Sequence, residues 1–314
     1  MNVKDALIAT RPWSFNITFI SITTGAILAA QVGKFSFWIY FGCLVGTILL
    51  HAGANTLNDY FDTKNSIDSR QAPTALYRAH PIFCGTISLK GLLLFSISLF
   101  IAAFAIASIF ILAGYRWLWL ITLSGVFLAI FYTANPFAFK YKALGEIVVF
   151  LIFGPLMIEG SYAAQTFQVS TKTFLISIPL GLLVSLILLS NNIRDLEFDK
   201  KLPSNPIRIK NRDSSKPLNI KTLPIIIGKQ NSLRLFLGIV IIVFILMAIY
   251  IFCGILKWPS LLVFTSIPLF AKLIHSFSRQ VPVSADAQTS CVTFLFGLLL
   301  TTALLSEVLF PHVH

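Results

Sequence analysis

Two short polar segments interrupt this apolar chain, and each ends a long apolar run with the same kinds of side chain. The first is Asn58-Asp59-Tyr60-Phe61-Asp62, followed by Asp68. The second is Asn191-Asn192-Ile193-Arg194-Asp195, followed by Asp199. Together they hold five of the 12 acidic residues. Acids at the ends of membrane helices are costly unless they bind something. On a helix, residues four apart share a face. Asn58 and Asp62 therefore lie together with Asp59 beside them, and Asn55 and His51 carry the polar stripe back into the apolar run. Asn191, Asp195 and Asp199 form a second stripe, with Asn192 three residues before Asp195.

Hard oxygen ligands suit Mg²⁺, which keeps several waters and bridges to phosphate. Two such clusters predict two Mg²⁺ ions across one diphosphate, with Asn58, Asp59, Asp62, Asp68, Asp195 and Asp199 as the ligand set. A diphosphate neutralised in this way is a leaving group. No nucleophilic side chain is needed when the departing carbon forms a stabilised cation, as an allylic prenyl diphosphate does. The alternative is that these acids are solvated helix ends balanced by Lys64, Arg194, Lys200 and Lys201. That account suits one cluster better than two alike.

Diphosphate charge calls for further cations. Arg11, Arg70, Arg78, Lys140, Lys142 and Arg194 are the candidates, arginine being suited to bidentate phosphate contacts. Each also serves as an ordinary membrane-flanking charge. The amides of Asn55, Asn58, Asn191 and Asn192 are candidate substrate contacts. An allylic cation needs electron-rich walls, and Tyr132 and Tyr60 adjoin the polar motifs. His51 is either a core hydrogen-bonding residue or a substrate contact. Asp286 lies outside both motifs and carries no expected role.

The elements that position these groups are membrane spans. The chain has 314 residues, is 56% hydrophobic and 11% charged, and has a mean hydropathy of +0.84. Soluble domains carry about 25% charged residues. Apolar runs of about 20 residues with few or no charges mark spanning helices, and nine are legible: 13–31, 37–57, 88–113, 117–134, 144–163, 174–193, 233–254, 258–274 and 289–310, the fifth carrying Glu146 and Glu159 near its ends. The expected fold class is thus all-α, a polytopic bundle of nine transmembrane helices forming a single domain over 1–314.

Charge sets the orientation. With the N-terminus cytoplasmic, 20 of the 24 Lys and Arg residues fall in inner segments, and only Lys34, Arg116, Lys172 and Lys257 fall outside. The C-terminus is then external and both acid clusters face the cytoplasm. The net charge of +12 has its explanation in these loops, and no separate basic domain points to nucleic acid. The first run is read as a span, not a cleaved leader, since Leu28-Ala29-Ala30 makes a poor cleavage site. Cys43, Cys84, Cys253 and Cys291 lack zinc-site spacing.

The chain resembles the UbiA superfamily of intramembrane prenyltransferases, and within it the 1,4-dihydroxy-2-naphthoate polyprenyltransferases of menaquinone synthesis. Four segments carry the resemblance. Asn55-Thr56-Leu57-Asn58-Asp59-Tyr60-Phe61-Asp62 with Asp68 is similar to the first aspartate motif. Tyr132-Thr133-Ala134-Asn135-Pro136 and Lys140-Tyr141-Lys142-Ala143-Leu144-Gly145-Glu146 resemble the segment between the fourth and fifth helices. Phe153-Gly154-Pro155-Leu156 with Gly160-Ser161-Tyr162 resembles the fifth helix. Asn191 to Asp199, continued by Lys221-Thr222-Leu223-Pro224 and Gly228-Lys229, resembles the second motif.

The resemblance implies a Mg²⁺-dependent aromatic prenyltransferase in a bacterial cytoplasmic membrane. Asp59, Asp62, Asp195 and Asp199 are its catalytic groups. Polyprenyl diphosphate and 1,4-dihydroxy-2-naphthoate are the substrates, and demethylmenaquinone forms with loss of carbon dioxide. A 4-hydroxybenzoate or other quinone-precursor acceptor is the alternative. A secondary transporter is remote, because transporter ligands sit at mid-membrane and these acids lie at one edge. A structural or assembly subunit leaves two intact acid motifs unexplained.

The sequence departs from the family at Ser66, usually glycine, and over Gln71–Pro81. Residues 203–219 form a basic insert between the sixth and seventh helices, expected to be mobile and to lie along anionic lipid, with a substrate gate or partner site as the alternative. The isoprenoid length and the oligomeric state are not encoded in any motif.

Overall fold

The computed structural model describes residues 3–65, 67–69, 73, 79–114, 116–201 and 220–310. Arg70, Arg78 and the insert 203–219 lie outside the described residues. Among those described there is no strand, only one bridging pair, Lys142 with Lys221. The helices are α1 (Val3–Thr10), α2 (Phe15–Gln31), α3 (Phe37–Lys64), α4 (Leu89–Leu112), α5 (Arg116–Phe131), α6 (Gly145–Thr166), α7 (Thr171–Asp199), α8 (Leu223–Phe252), α9 (Trp258–Arg279) and α10 (Ala285–Leu309).

Eight of these are long and apolar enough to cross a membrane. The fourth of the nine expected spans, α5, is shorter at 16 residues. That length gives about 24 Å of helix against a hydrocarbon core of about 30 Å. The chain leaves the helix at Tyr132 and Thr133 and approaches Pro136, whose ring keeps Asn135 out of helical conformation. α3 and α7 run past the boundaries expected from hydropathy, because their helices continue unbroken through the two acid clusters.

Polarity is arranged for lipid. Phe252, Leu112 and Trp38 stand on the outside, 93%, 87% and 76% exposed, whereas Thr18, Ser21, Thr24 and Thr56 are buried. The main core joins α2, α6, α7, α8, α9 and α10, with Phe244 flanked by Phe264, Phe270 and Phe296. Lipid is as apolar as leucine, so close approach through small residues holds such helices together. Gly154 of α6 lies against Gly181 of α7. A Cβ on either would sit 2.9 Å from the other's Cα.

α6 is broken by a π-helical turn, Ile152–Leu156, that contains Gly154 and Pro155. Backbone groups freed at such a break need partners away from water. Ser21 of α2 donates to the Phe153 carbonyl at 2.7 Å, and Ser161 donates back to the Ile22 carbonyl at 2.6 Å. These two bonds lock α2 to α6.

Candidate active site

The ends of α3 and α7 meet. Asn58 and Asp62 from α3 and Asn191, Asn192, Asp195 and Asp199 from α7 line one polar cavity of about 80 Å³. Arg11, Asp68, Lys140, Tyr141 and Thr222 complete its wall. The two acid stripes expected from helical spacing therefore face a common space.

Carboxylates at helix C-termini face the negative end of the helix dipole, and here most are also buried. The protein answers with one cation for each of three of them. Arg11, which follows α1, pairs with Asp59. Lys140 donates to Asp62 Oδ2 at 2.6 Å and to Asn58 Oδ1 at 3.0 Å. Arg194 donates to both oxygens of Asp195, at 2.7 and 2.9 Å. Asp199 makes no hydrogen bond or ion pair among the described residues. Arg11 is held in the left-handed conformation, φ 57°, with the Ser14 hydroxyl donating to its carbonyl at 2.8 Å. This turn aims the guanidinium at α3.

Tyr141 also donates to Asp62. Burial pushes its phenol well above the ordinary value, and the charge and hydrogen bond of Asp62 push it further. The hydroxyl stays protonated and remains a donor. Tyr132 is raised for the same first reason, burial, and then by the charges of Glu146 and Asp62. The loop carrying Lys140 and Tyr141 is pinned by Lys140 N–H to the Tyr132 carbonyl at 2.8 Å and by Lys221 N–H to the Tyr141 carbonyl at 3.0 Å.

Several expected substrate contacts have other partners. His51 places its two ring nitrogens 2.8 Å from the Thr18 hydroxyl and 3.3 Å from that of Ser14, between the rings of Phe15 and Phe153. It joins α3 to α2. Asn55 donates to the Thr10 carbonyl and the Ser14 hydroxyl at 2.9 and 3.2 Å, tying α3 to the end of α1. Lys142 turns outward and donates to the Pro136 carbonyl at 3.1 Å.

Arg194 is only 3% exposed at its side chain. It donates to Asp195, to Asn191 Oδ1 at 2.5 Å, to Asp286 Oδ1 at 2.9 Å and to the Val283 carbonyl at 3.1 Å. A guanidinium has five N–H donors, so these bonds occupy all of them. Arg194 therefore orients Asp195 instead of reaching a phosphate. Asp286, given no role from sequence, belongs to this cluster.

Glu146 was also without a role, and it accepts from Asn192 Nδ2 at 2.9 Å. His80 lies beside Asp68, its Nε2 3.3 Å from Asp68 Oδ2. Tyr141, Glu146 and His80 all lie inside segments that the motifs or their departures singled out, whereas Asp286 has no local signal.

A second cavity, about 110 Å³ and almost wholly apolar, opens between α3, α4, α5 and α6, with Gly46, Ala107, Phe110, Gly125 and Met157 in its wall. Leu50 of this cavity and Asn58 of the polar one are two helical turns apart on α3, about 12 Å.

Residues 18–299 match the model of the UbiA prenyltransferase family. The chain belongs to that family. It is 27% identical over 303 residues to 1,4-dihydroxy-2-naphthoate octaprenyltransferase of Bacillus subtilis, covering 94% of this chain and 90% of that one. It is 26% identical to UbiA prenyltransferase domain-containing protein 1 of Dictyostelium discoideum, over 93% and 84% of the two chains. The fold matches that of a UbiA homolog from Archaeoglobus fulgidus bound to GPP and Mg²⁺, with TM-score 0.62, 17% identity and coverage of 95% and 99%. The UbiA fold, the multi-pass membrane character and a prenyltransferase activity follow from this membership.

The ligand atoms fit a divalent cation. Asp59, Asp68 and His80 each bring one within 4.8 Å of the others, and Asp199 lines the cavity without an ion pair among the described residues. Among the described residues the site holds more carboxylate than side-chain cation, the balance that a bound dication corrects.

Proposed function

We propose that this protein transfers a polyprenyl group from its diphosphate to 1,4-dihydroxy-2-naphthoate, releasing carbon dioxide and diphosphate. The product is demethylmenaquinone at the quinol level, because the ring keeps both hydroxyls when the prenyl group replaces the carboxylate. One observation carries the reading: two aspartate stripes from α3 and α7 converge on one cavity, with an apolar cavity beside them on α3. The similarity to the Bacillus octaprenyltransferase along nearly the full chain favours the naphthoate acceptor. A family member acting on a different quinone precursor is the second reading, favoured by the comparable similarity to the UbiA domain-containing protein 1 relatives.

Divalent cations at Asp59, Asp62, Asp68, Asp195 and Asp199 would take up charge on the diphosphate as its bond to the allylic carbon breaks. The chain's own groups do the rest. Lys140 and Tyr141 fix the rotamer of Asp62. Arg194 fixes Asp195. Arg11 holds Asp59 and, lining the polar cavity, is the cation placed to approach the diphosphate. The apolar cavity takes the isoprenoid tail, keeping water from the cation, and Tyr132 supplies an aromatic face at the loop between α5 and α6.

The orientation proposed is N-terminus and polar cavity cytoplasmic, in a bacterial inner membrane. Purified protein, Mg²⁺ and one polyprenyl diphosphate, offered a panel of aromatic acids with products read by mass spectrometry, tests the acceptor. Prenylation with decarboxylation of the naphthoate alone supports the reading. Prenylation of 4-hydroxybenzoate alone replaces it with the second.

A further inference from the structure

Beside the cavity, the chain after α3 brings Asp68 and His80 back to Asp59. The nearest oxygens of Asp59 and Asp68 and a ring nitrogen of His80 all lie within 4.8 Å of one another. His80 is 3% exposed, and neither of its ring nitrogens has a hydrogen-bond partner among the described residues. Its Nε2 stands 3.3 Å from Asp68 Oδ2, close but outside hydrogen-bond alignment. The ring is held by stacking on Phe83, with centroids 4.3 Å apart and planes at 27°.

A buried imidazole that makes no aligned hydrogen bond is unfavourable, and the separation has a ready meaning. Ligands bound to one ion at about 2.1 Å in octahedral geometry are about 3.0 Å apart when adjacent and about 4.2 Å apart when opposite. Nitrogen and carboxylate oxygen at 3.3 Å, without a hydrogen bond between them, have the spacing of two ligands to a common cation.

We propose that Asp59, Asp68 and His80 form a mixed carboxylate–imidazole site in which His80 Nε2 ligates a first-row transition-metal dication. This rests on the reading that the aspartates bind divalent cations, and it goes beyond that reading in ligand and in metal. An all-oxygen site accommodates Mg²⁺, whereas imidazole selects for the later first-row metals. His80 thus makes one of the family's dication positions selective for metals such as Co²⁺ or Zn²⁺ over Mg²⁺.

The test uses the full chain in detergent, stripped with EDTA, and needs no prenyl substrate. Mn²⁺ is added, and electron spin echo modulation is read for nitrogen coupling. Co²⁺ and Mg²⁺ isotherms are measured on the wild type and on His80→Asn, whose folding is checked by gel filtration and thermal melting. The expected result is a directly bonded nitrogen coupling in the wild type that is lost in H80N. The Co²⁺ affinity should fall at least tenfold and the Mg²⁺ affinity less than threefold.

No nitrogen coupling in the wild type overturns the site, and that measurement needs no variant. A coupling that persists in H80N belongs to another histidine and overturns it too. Equal losses for both metals reduce His80 to packing and also overturn it. Failure of the prenyl transfer reaction with the nitrogen coupling present would count against the proposed function alone.

Discussion

Arg194 grips Asp195, the next residue along the same helix, through Nε at 2.7 Å and Nη2 at 2.9 Å. Adjacent residues on a helix normally point about 100° apart, so the fork has to reach around the helix end. Asp286 of α10 and the Asn191 amide anchor its other side. The result is a carboxylate set before any ligand arrives. Preorganisation of this kind acts on the chemical step more than on binding.

Replacing Arg194 by Lys keeps the charge and removes the fork. The expected outcome is a fall in kcat of about tenfold or more, ~1.4 kcal/mol, with KM for the prenyl diphosphate within about threefold. A large rise in KM at unchanged kcat would mean that Arg194 contacts the diphosphate after all.

Asp286→Ala removes the ion pair that anchors Arg194, which is nearly buried. Activity should drop about tenfold, the scale of one charge-assisted hydrogen bond. Glu197→Ala is the control. Glu197 is on the same helix as Arg194, 73% exposed at its side chain and paired among the described residues only to Lys200, so its rate should stay within about twofold of wild type. Steady-state assays on both variants, normalised to folded protein, decide whether Asp286 belongs to the site.

The contrast between Asp286 and Asp195 marks what was legible in the sequence. Asp195, Asp199, Asp59 and Asp62 are visible because helical spacing and repetition are local properties. The spans are visible for the same reason, apart from α5, which the turn at Tyr132 shortens. Asp286 and His80 become partners of the motifs only through tertiary packing; His80 lies in the atypical stretch Gln71–Pro81, whereas nothing in the sequence around Asp286 marks it. His51 and Asn55 share the polar stripe with Asp59, yet the side of α3 they occupy meets Thr10, Ser14 and Thr18. Spacing fixes a face, and only the packed neighbour decides what that face does.

Tyr141→Phe deletes the hydroxyl that donates to Asp62 and leaves the ring in place. A net hydrogen bond of this type is worth about 1–1.5 kcal/mol, so kcat should fall by about five- to tenfold with little change in melting temperature. Asp62→Ala, in contrast, removes a carboxylate from the dication site and should lower turnover by several orders of magnitude. Similar losses in the two variants would mean that Asp62 acts only through Tyr141.

Chelation should abolish transfer, and Mg²⁺ should restore it, since the side-chain cations Arg11, Lys140 and Arg194 are already paired with Asp59, Asp62 and Asp195 and leave diphosphate charge for the dication. The measurement is turnover in excess EDTA followed by titration with Mg²⁺. Full activity in the chelator would refute dependence on a dication.

Orientation is open to cysteine labelling in a background with Cys43, Cys84, Cys253 and Cys291 replaced by serine. Lys200 follows α7 beside the acid cluster, and Lys257 lies in the α8–α9 connection. Both are exposed. In intact cells an impermeant maleimide should leave Lys200→Cys unlabelled and modify Lys257→Cys. The reverse pattern would put the polar cavity on the outer face.

The α6–α7 contact offers a test of what holds the site in place. Gly154 and Gly181 approach so closely that a Cβ on Gly181 would lie 2.9 Å from both the Gly154 Cα and the Phe150 carbonyl oxygen. Those are backbone atoms and yield only if the helices separate. Gly181→Ala should therefore destabilise the protein by about 1–3 kcal/mol, the usual cost of overpacking, despite alanine's better helix propensity. Gly125→Ala separates the two effects, because a Cβ there meets nothing within 4 Å, and propensity alone predicts a gain of up to about 1 kcal/mol. α7 carries Asp195 and Asp199, so the misplaced helix should also lower kcat in G181A. Thermal melting in detergent with parallel assays reads both. Equal stability of the two variants would mean that the α6–α7 contact is looser than its glycines imply.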